Sequence, residues 1–83
     1  MLSLIAKKTI DATGLFCPGP IQIVKGVARK VERGTVLELL ADDPDTKQDV
    51  EEWCEETGNT LLSTEEKDGT LIFSIKINYT SSH

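Results

Sequence analysis

The 83-residue sequence has few of the residues that usually mark a metal site or a disulfide framework. Its two cysteines, Cys17 and Cys54, have neither a CxxC spacing nor a zinc pattern. The single histidine, His83, is the last residue, so we expect a frayed terminus there rather than a rigid dyad or cluster. These scarcities predict a chain that binds no metal and works in a reducing compartment.

Long apolar runs and an excess of basic residues are also missing. No apolar run approaches the roughly 20 residues of a membrane-spanning helix, and residues 1–10 carry two lysines in a run too short for a signal peptide. The net charge of -5 disfavours direct attraction to nucleic acid or to a membrane surface, since both select for basic proteins. A cytoplasmic protein is expected, and any link to RNA would run through another protein.

What is present is the composition of one small globular domain. Hydrophobic residues make up 39% of the chain and charged residues 28%, and 83 residues leave room for a single core. We expect one domain over residues 3–77, followed by a flexible polar tail at 78–83.

Hydrophobic periodicity predicts two helices and four strands. The first helix should run from Ile21 to Arg33 and end at Gly34, which can adopt a left-handed conformation. Asp43 as N-cap and Pro44 at the first helical position should begin the second helix, which Gly58 ends. The apolar stripe of the first helix is predicted at Ile23, Val24, Val27, Ala28 and Val31. The predicted strands are residues 3–11, 35–41, 60–66 and 70–77.

The order of these elements is βαβαββ. Asp68-Gly69 between the last two strands is a strong signal for an antiparallel hairpin, whereas the earlier strands are joined through helices and should be parallel. The predicted fold is therefore a two-layer α/β (α+β) sandwich, with a four-stranded mixed sheet and two helices on one face. The strand order within the sheet does not follow from the sequence.

The stretch from Asp11 to Pro20 carries the most distinctive chemistry. Cys17 lies just before the first predicted helix, where free amides and the positive end of the helix dipole favour a thiolate. We therefore expect a lowered pKa for Cys17 and a nucleophile that needs no metal; a small buried thiol is the alternative. The residues that support this motif by making the local backbone tight are Gly14, Pro18, Gly19 and Pro20.

Three further residues are candidates for partner docking. Lys25 and Arg29 are four residues apart and project together from the first helix, either as a docking site for an acidic partner or as an ordinary solvated face. Asp43 follows the second strand and should lie, with Asp42 and Asp45, at the same edge of the sheet as Cys17.

Cys54 is interpreted differently from Cys17. It shares an apolar helical stripe with Trp53, which indicates a buried structural thiol. If it instead acted as a resolving partner for Cys17, the chain would be a thiol redox module. A third hypothesis is a non-enzymatic regulatory module that binds a partner through the basic face of the first helix.

The run Asp11-x-x-Gly14-Leu15-x-Cys17-Pro18-x-Pro20, followed by Gly34, Asp43-Pro44, Asp49 and Thr57-Gly58, resembles the TusA/SirA-like family of sulfur carrier proteins. The resemblance covers residues 11–77. It implies a two-layer fold like the one predicted above, similar also to the C-terminal domain of a bacterial translation initiation factor. It further implies that Cys17 accepts sulfane sulfur as a persulfide and relays it, in sulfurtransferase-like chemistry without a cofactor.

The resemblance also implies the kinds of partner. The donor would be a cysteine desulfurase or a rhodanese-type sulfurtransferase, and the downstream acceptor would serve tRNA thiolation, cofactor sulfuration or sulfur oxidation. The carrier itself would be a monomer that forms transient complexes. Family members often carry histidine after the glycine that closes the second helix, where this chain has Asn59. The Cys-Pro-Gly-Pro version with Cys54 is similar to modules found beside rhodanese and disulfide-reductase domains.

Overall fold

The computed structural model describes residues 7–16 and 19–78, which form a four-stranded sheet and two helices. The elements are β1 (Lys7–Asp11), α1 (Gly19–Ala28), β2 (Val36–Ala41), α2 (Thr46–Thr57), β3 (Thr60–Lys67) and β4 (Thr70–Lys76). The predicted βαβαββ order and two-layer architecture are confirmed. The predictions that concern residues 3–6, Cys17, Pro18 and residues 79–83, with His83, lie outside the described residues.

The strand order is β1-β2-β4-β3, with β1 parallel to β2, and β4 antiparallel to both of its neighbours. The carboxyl ends of β1 and β2 therefore meet at one edge of the sheet. The β3–β4 turn lies at the same edge, because Ala41 at the end of β2 pairs with Leu71 at the start of β4. We call this edge the loop edge. The turn has φ +54° at Asp68 and +84° at Gly69, as the predicted Asp-Gly hairpin requires.

The core is one cluster of apolar side chains from the sheet and both helices. Every second residue of β2 is buried, as expected for a strand covered on one face. The largest fully buried apolar side chains are Phe73, Leu37, Leu39, Ile75, Ile77, Val24 and Val50. Each such side chain contributes about 1.5–3 kcal/mol on burial. The stripe predicted for α1 is wrong at Ile23, which is 38% exposed while Ile21 is buried, and at Val31, which packs on the core from beyond the end of the helix.

Helix α1 begins and ends earlier than the sequence predicts. It spans Gly19–Ala28 rather than Ile21 to Arg33, and residues 29–30 form a turn. The sheet causes the early end, because the Gly34 amide donates a hydrogen bond to the Ile77 carbonyl at 2.6 Å and the chain must leave the helix to reach it. Gly34 does have φ +97°, but it is a loop residue and not the predicted helix cap.

Helix α2 begins later than predicted, at Thr46. Asp45 occupies the N-cap position without a side-chain cap hydrogen bond, so the assignment of Asp43 as N-cap and Pro44 as first helical residue is wrong. Asp43 instead shapes the preceding turn: its Oδ1 accepts the Asp45 amide at 3.0 Å and its carbonyl accepts the Thr46 amide at 3.0 Å. These hydrogen bonds close a short turn at residues 44–45 that leads into the helix. The predicted end is confirmed, since Gly58 has φ +83°.

Candidate functional site

The loop between β1 and α1 starts from a firm backbone anchor at the loop edge. Ala12 has no exposed surface, and its amide donates to the Leu40 carbonyl at 2.8 Å. The Leu15 amide then donates back to the Ala12 carbonyl at 3.3 Å, which closes a turn. Gly14 inside this turn has φ +86°, a left-handed conformation that side chains with a Cβ disfavour. The loop therefore leaves the sheet in a tight turn.

A carboxylate from the neighbouring strand holds the same turn. Both oxygens of Asp42, the first residue after β2, accept the Gly14 amide at 3.1 Å. The two residues meet because the carboxyl ends of parallel strands share one edge of the sheet. The prediction that Asp42 lies at this edge is confirmed, but the residue anchors the loop, a role that the sequence analysis missed. The sequence signal for this contact was a glycine in the loop after one parallel strand and an aspartate directly after the next strand.

Asp11 stabilises the first residues of the loop. Its Oδ1 accepts the Thr13 hydroxyl at 2.6 Å and the Thr13 amide at 3.0 Å. These two hydrogen bonds lower the pKa of the Asp11 carboxyl below its usual range, and the bond from the Thr13 hydroxyl has the larger effect. Asp11 therefore stays ionised and keeps this end of the loop ordered.

A hydrogen bond joins the loop to α1 across the Cys17-Pro18 pair. The Gly19 amide donates to the Phe16 carbonyl at 2.7 Å, and α1 begins at Gly19. A Cβ at Gly19 would lie 3.3 Å from the Leu15 Cβ, so glycine allows the helix to start against the loop. Pro20 in the first helical turn is buried. Cys17 precedes this helix start in the chain, and its lowered pKa stays a prediction.

Apolar side chains are exposed on the described part of this loop. Phe16 is 81% exposed and Leu15 is 38% exposed. An aromatic ring that contacts this little of its own protein contributes little to stability. The sequence analysis did not single out Phe16, although it directly precedes the cysteine.

Lys25, in α1, and Arg29, in the turn that follows it rather than in the helix as predicted, lie at a groove between α1 and α2. The groove encloses about 270 Å³ and is lined by Lys25, Ala28, Arg29, Trp53, Glu56, Thr57 and Asn59. The two cations therefore share one surface, as their spacing predicted. Lys25 is about 9 Å along the helix axis from Gly19, so this surface is separate from the helix start.

Cys54 lies on the buried face of α2. Its side chain is 5% exposed, and burial raises the pKa of the thiol from 9.0 to about 11. It lies about 12 Å along the helix from Thr46, whose end of α2 is at the loop edge. A buried, protonated thiol reacts slowly with disulfides and persulfides. These features favour the structural interpretation of Cys54 over the resolving one.

Asn59 joins the end of α2 to the end of the sheet. It is 7% exposed; its Nδ2 donates to Thr57 Oγ1 at 2.9 Å, and its Oδ1 accepts the Asn78 amide at 2.9 Å. Thr57 Oγ1 in turn donates to the Trp53 carbonyl at 2.7 Å. Asn59 is therefore committed to structural hydrogen bonds.

Residues 7–16 and 19–78 form neither a metal cluster nor a membrane-spanning helix. No group of three or more His, Cys, Asp or Glu side chains in these ranges is placed to hold a metal ion. None of the helices in these ranges has the length and apolar character needed to cross a membrane.

Fold and loop together define a small α/β domain that carries its candidate nucleophile just before a helix. Residues 8–77 match the family model described as sulfurtransferase TusA. A sulfur carrier protein TusA from Pseudomonas entomophila is 38% identical over 76 residues, which are 92% of this chain and 95% of that protein. One from Pseudomonas putida is 36% identical over 67 residues, 81% of this chain and 84% of that protein. The crystal structure of a SirA-like protein from Desulfitobacterium hafniense has a TM-score of 0.78 and 30% identity, covering 86% of this chain and 97% of that one.

The chain belongs to the TusA family of sulfur carrier proteins, which confirms the predicted family and the predicted function as a sulfur carrier. A sulfur carrier works between proteins, so its partners are a protein that donates sulfur and one that accepts it.

Proposed function

We propose that the chain carries sulfane sulfur as a persulfide on Cys17 and passes it from a donor protein to an acceptor protein. The functional unit is the single domain over residues 3–77, which acts as a monomer in transient complexes. Gly14, Pro18, Gly19 and Pro20 keep the backbone around the cysteine tight, so that unlike partners meet the sulfur in one geometry.

The observation that carries this proposal is the anchored loop that leads to α1. Asp42 holds the Gly14 amide, and α1 begins at Gly19. The unpaired amides and dipole of a helix N-terminus stabilise a thiolate, which is the form of cysteine that attacks sulfur. The exposure of Leu15 and Phe16 indicates that this side of the loop is open to a partner.

The transfer is two exchanges at the outer sulfur of a persulfide. The Cys17 thiolate attacks the terminal sulfur of the donor's R–S–S–H; a new S–S bond forms, the donor's S–S bond breaks, and the donor leaves as a thiolate. The acceptor thiolate then attacks the terminal sulfur of the Cys17 persulfide and releases the Cys17 thiolate. Electrons and sulfur balance in each exchange, so no cofactor, metal, oxidant or reductant is required.

Donors of this chemical class are cysteine desulfurases and rhodanese-type sulfurtransferases. Lys25 on α1 and Arg29 in the turn after it offer positive charge to an acidic partner, and Asp43 offers a contact of opposite charge at the loop edge. The relay belongs in the cytoplasm, because persulfide transfer needs reduced thiols.

The test is the intact mass of the reduced protein after incubation with a cysteine desulfurase plus cysteine, and separately with a rhodanese plus thiosulfate. We expect a gain of about one sulfur atom that reductant removes. Cys17→Ser should lose this gain, whereas the matched variant Cys54→Ser should keep it. Sulfur loading of Cys17→Ser equal to that of the wild type would refute the proposal. An oxidised form two protons lighter that needs both cysteines would instead favour the thiol redox module.

A further inference from the structure

We propose that Leu15, Phe16 and Ile23 form an apolar docking patch for a sulfur-transfer partner whose reactive cysteine has an uncharged, apolar rim. The inference rests on the proposed function and adds to it the chemistry of the partner's surface. It assigns specificity to side chains that take no part in the sulfur exchange itself.

The three side chains are exposed and follow one another on the surface. Phe16 is 81% exposed, and Leu15 and Ile23 are each 38% exposed. Leu15 lies close to the start of α1, since a Cβ added at Gly19 would be only 3.3 Å from the Leu15 Cβ. Ile23 is four residues after Gly19 in α1, hence one turn farther on the same helix face. The apolar patch therefore runs from the loop on to the first turns of the helix.

The surroundings of the patch in the sequence carry no charge. Residues 12–24 contain no Asp, Glu, Lys or Arg, although 28% of the chain is charged and its net charge is -5. A charged residue of the partner placed against the side chains of Leu15, Phe16 and Ile23 would lose hydration, and these three side chains offer it no opposite charge. The surface that fits here is therefore uncharged and apolar. It differs in chemistry from the surface that would bind Lys25 and Arg29.

The position of the patch next to Cys17 indicates which protein binds it. Phe16 is covalently next to Cys17, so a protein that brings its own thiol to the sulfur of Cys17 must also approach Phe16. An exposed aromatic side chain at such a place is typical of a residue that anchors a transient complex. Contact with the ring would also exclude water from the reacting sulfur atoms. The other possible occupant is a second copy of this chain, which the experiment distinguishes.

The experiment compares sulfur loading from a protein with loading from a small molecule. Phe16→Ser, the wild type and the control Leu62→Ser are loaded either by the rhodanese or desulfurase donor or by glutathione persulfide. Leu62 is a suitable control, because it is 52% exposed and lies in β3, the edge strand on the opposite side of the sheet from β1. For Phe16→Ser we expect loading from the protein donor to be about tenfold slower, with loading from glutathione persulfide unchanged. This difference in loading rate between Phe16→Ser and the wild type should be the same at low and high salt.

Four results would overturn the inference. The first is equal loading of Phe16→Ser and the wild type by the protein donor, and the second is an equal loss in Leu62→Ser. The third is a loss with glutathione persulfide as well, which would place the effect on the cysteine rather than on docking. The fourth is a wild-type dimer that Phe16→Ser dissociates, which would make a second copy the occupant. Failure of the wild type to load from either source would instead refute the proposed function.

Discussion

The Asp42 carboxylate accepts the Gly14 amide with both oxygens, at 3.1 Å each. The two residues are 28 apart in the chain and belong to the loops that follow β1 and β2. The loop that leads to the cysteine is therefore held by the neighbouring strand as well as by its own turn. Stability and sulfur transfer should both depend on this contact.

Replacing Asp42 by alanine should make this dependence visible. Asp42→Ala leaves the Gly14 amide without its carboxylate acceptor, and we expect the free energy of unfolding to fall by about 1 kcal/mol. Urea unfolding measures the loss, and intact mass during loading measures the rate of sulfur uptake. Uptake should become slower, because the loop before the cysteine is less ordered.

Asp45→Ala is the matched control for that variant, since Asp45 makes no side-chain cap hydrogen bond at the start of α2. Asp42→Asn should recover part of the stability through its remaining carbonyl oxygen. If Asp45→Ala slowed uptake as much as Asp42→Ala did, negative charge at this edge would be the cause rather than the hydrogen bond.

Replacement by alanine should have opposite effects on stability at two glycines that have equal free space around them. A Cβ would meet no atom within 4 Å at Gly14 or at Gly26, but Gly14 has φ +86° whereas Gly26 lies inside α1. Gly14→Ala should destabilise the protein by about 1–2 kcal/mol through backbone strain. Gly26→Ala should stabilise it by about 0.5–1 kcal/mol, because alanine is the better helix former. Thermal unfolding of the two variants tests both signs, and a stabilising Gly14→Ala would contradict the loop conformation.

Cys54 should make stability depend on pH in the alkaline range. Because burial raises the pKa of its thiol from 9.0 to about 11, the folded protein holds a proton that the unfolded chain releases between these values. The stabilising contribution is fully present below pH 9.0 and is lost as the pH rises to about 11. The difference between wild type and Cys54→Ala in urea unfolding, measured from pH 8 to pH 11, should therefore shrink by up to about 2 kcal/mol.

The same burial predicts slow alkylation of Cys54. In a Cys17→Ser background at pH 8, the thiol should react with iodoacetamide only after denaturant is added. Rapid alkylation of the native Cys17→Ser protein would contradict a buried Cys54 and revive the resolving role.

Charge reversal at Lys25 and Arg29 should slow transfer in a salt-dependent way. Lys25→Glu/Arg29→Glu changes the surface that both side chains share at the groove, and we expect the second-order rate of loading by an acidic donor to fall about tenfold at low salt. Wild-type loading should slow as salt is added, and the variant should lose this dependence. Lys8→Glu, at an exposed position of β1, is the control. An equal effect per reversed charge in the double variant and in Lys8→Glu would indicate net charge alone, and unchanged rates would identify an ordinary solvated face.

Local patterns in the sequence were sufficient for most of the fold. Asp68-Gly69 predicted the hairpin, and Gly58 predicted the end of α2, because each signal acts within a few residues. The end of α1 could not be predicted in this way. It depends on the hydrogen bond between Gly34 and Ile77, which are far apart in the chain, so the helical periodicity that continues past Ala28 is overridden.

The same distinction between local signals and contacts of distant residues applies to the site. The sequence by itself determined the βαβαββ order, the family and the cysteine motif, since periodicity, turn residues and the run around Cys17 are properties of short segments. Only the tertiary structure decided the strand order, the Asp42–Gly14 contact and the exposure of Ile23. These depend on which strands become neighbours and on which helix face meets the sheet, and both are set by packing between distant residues.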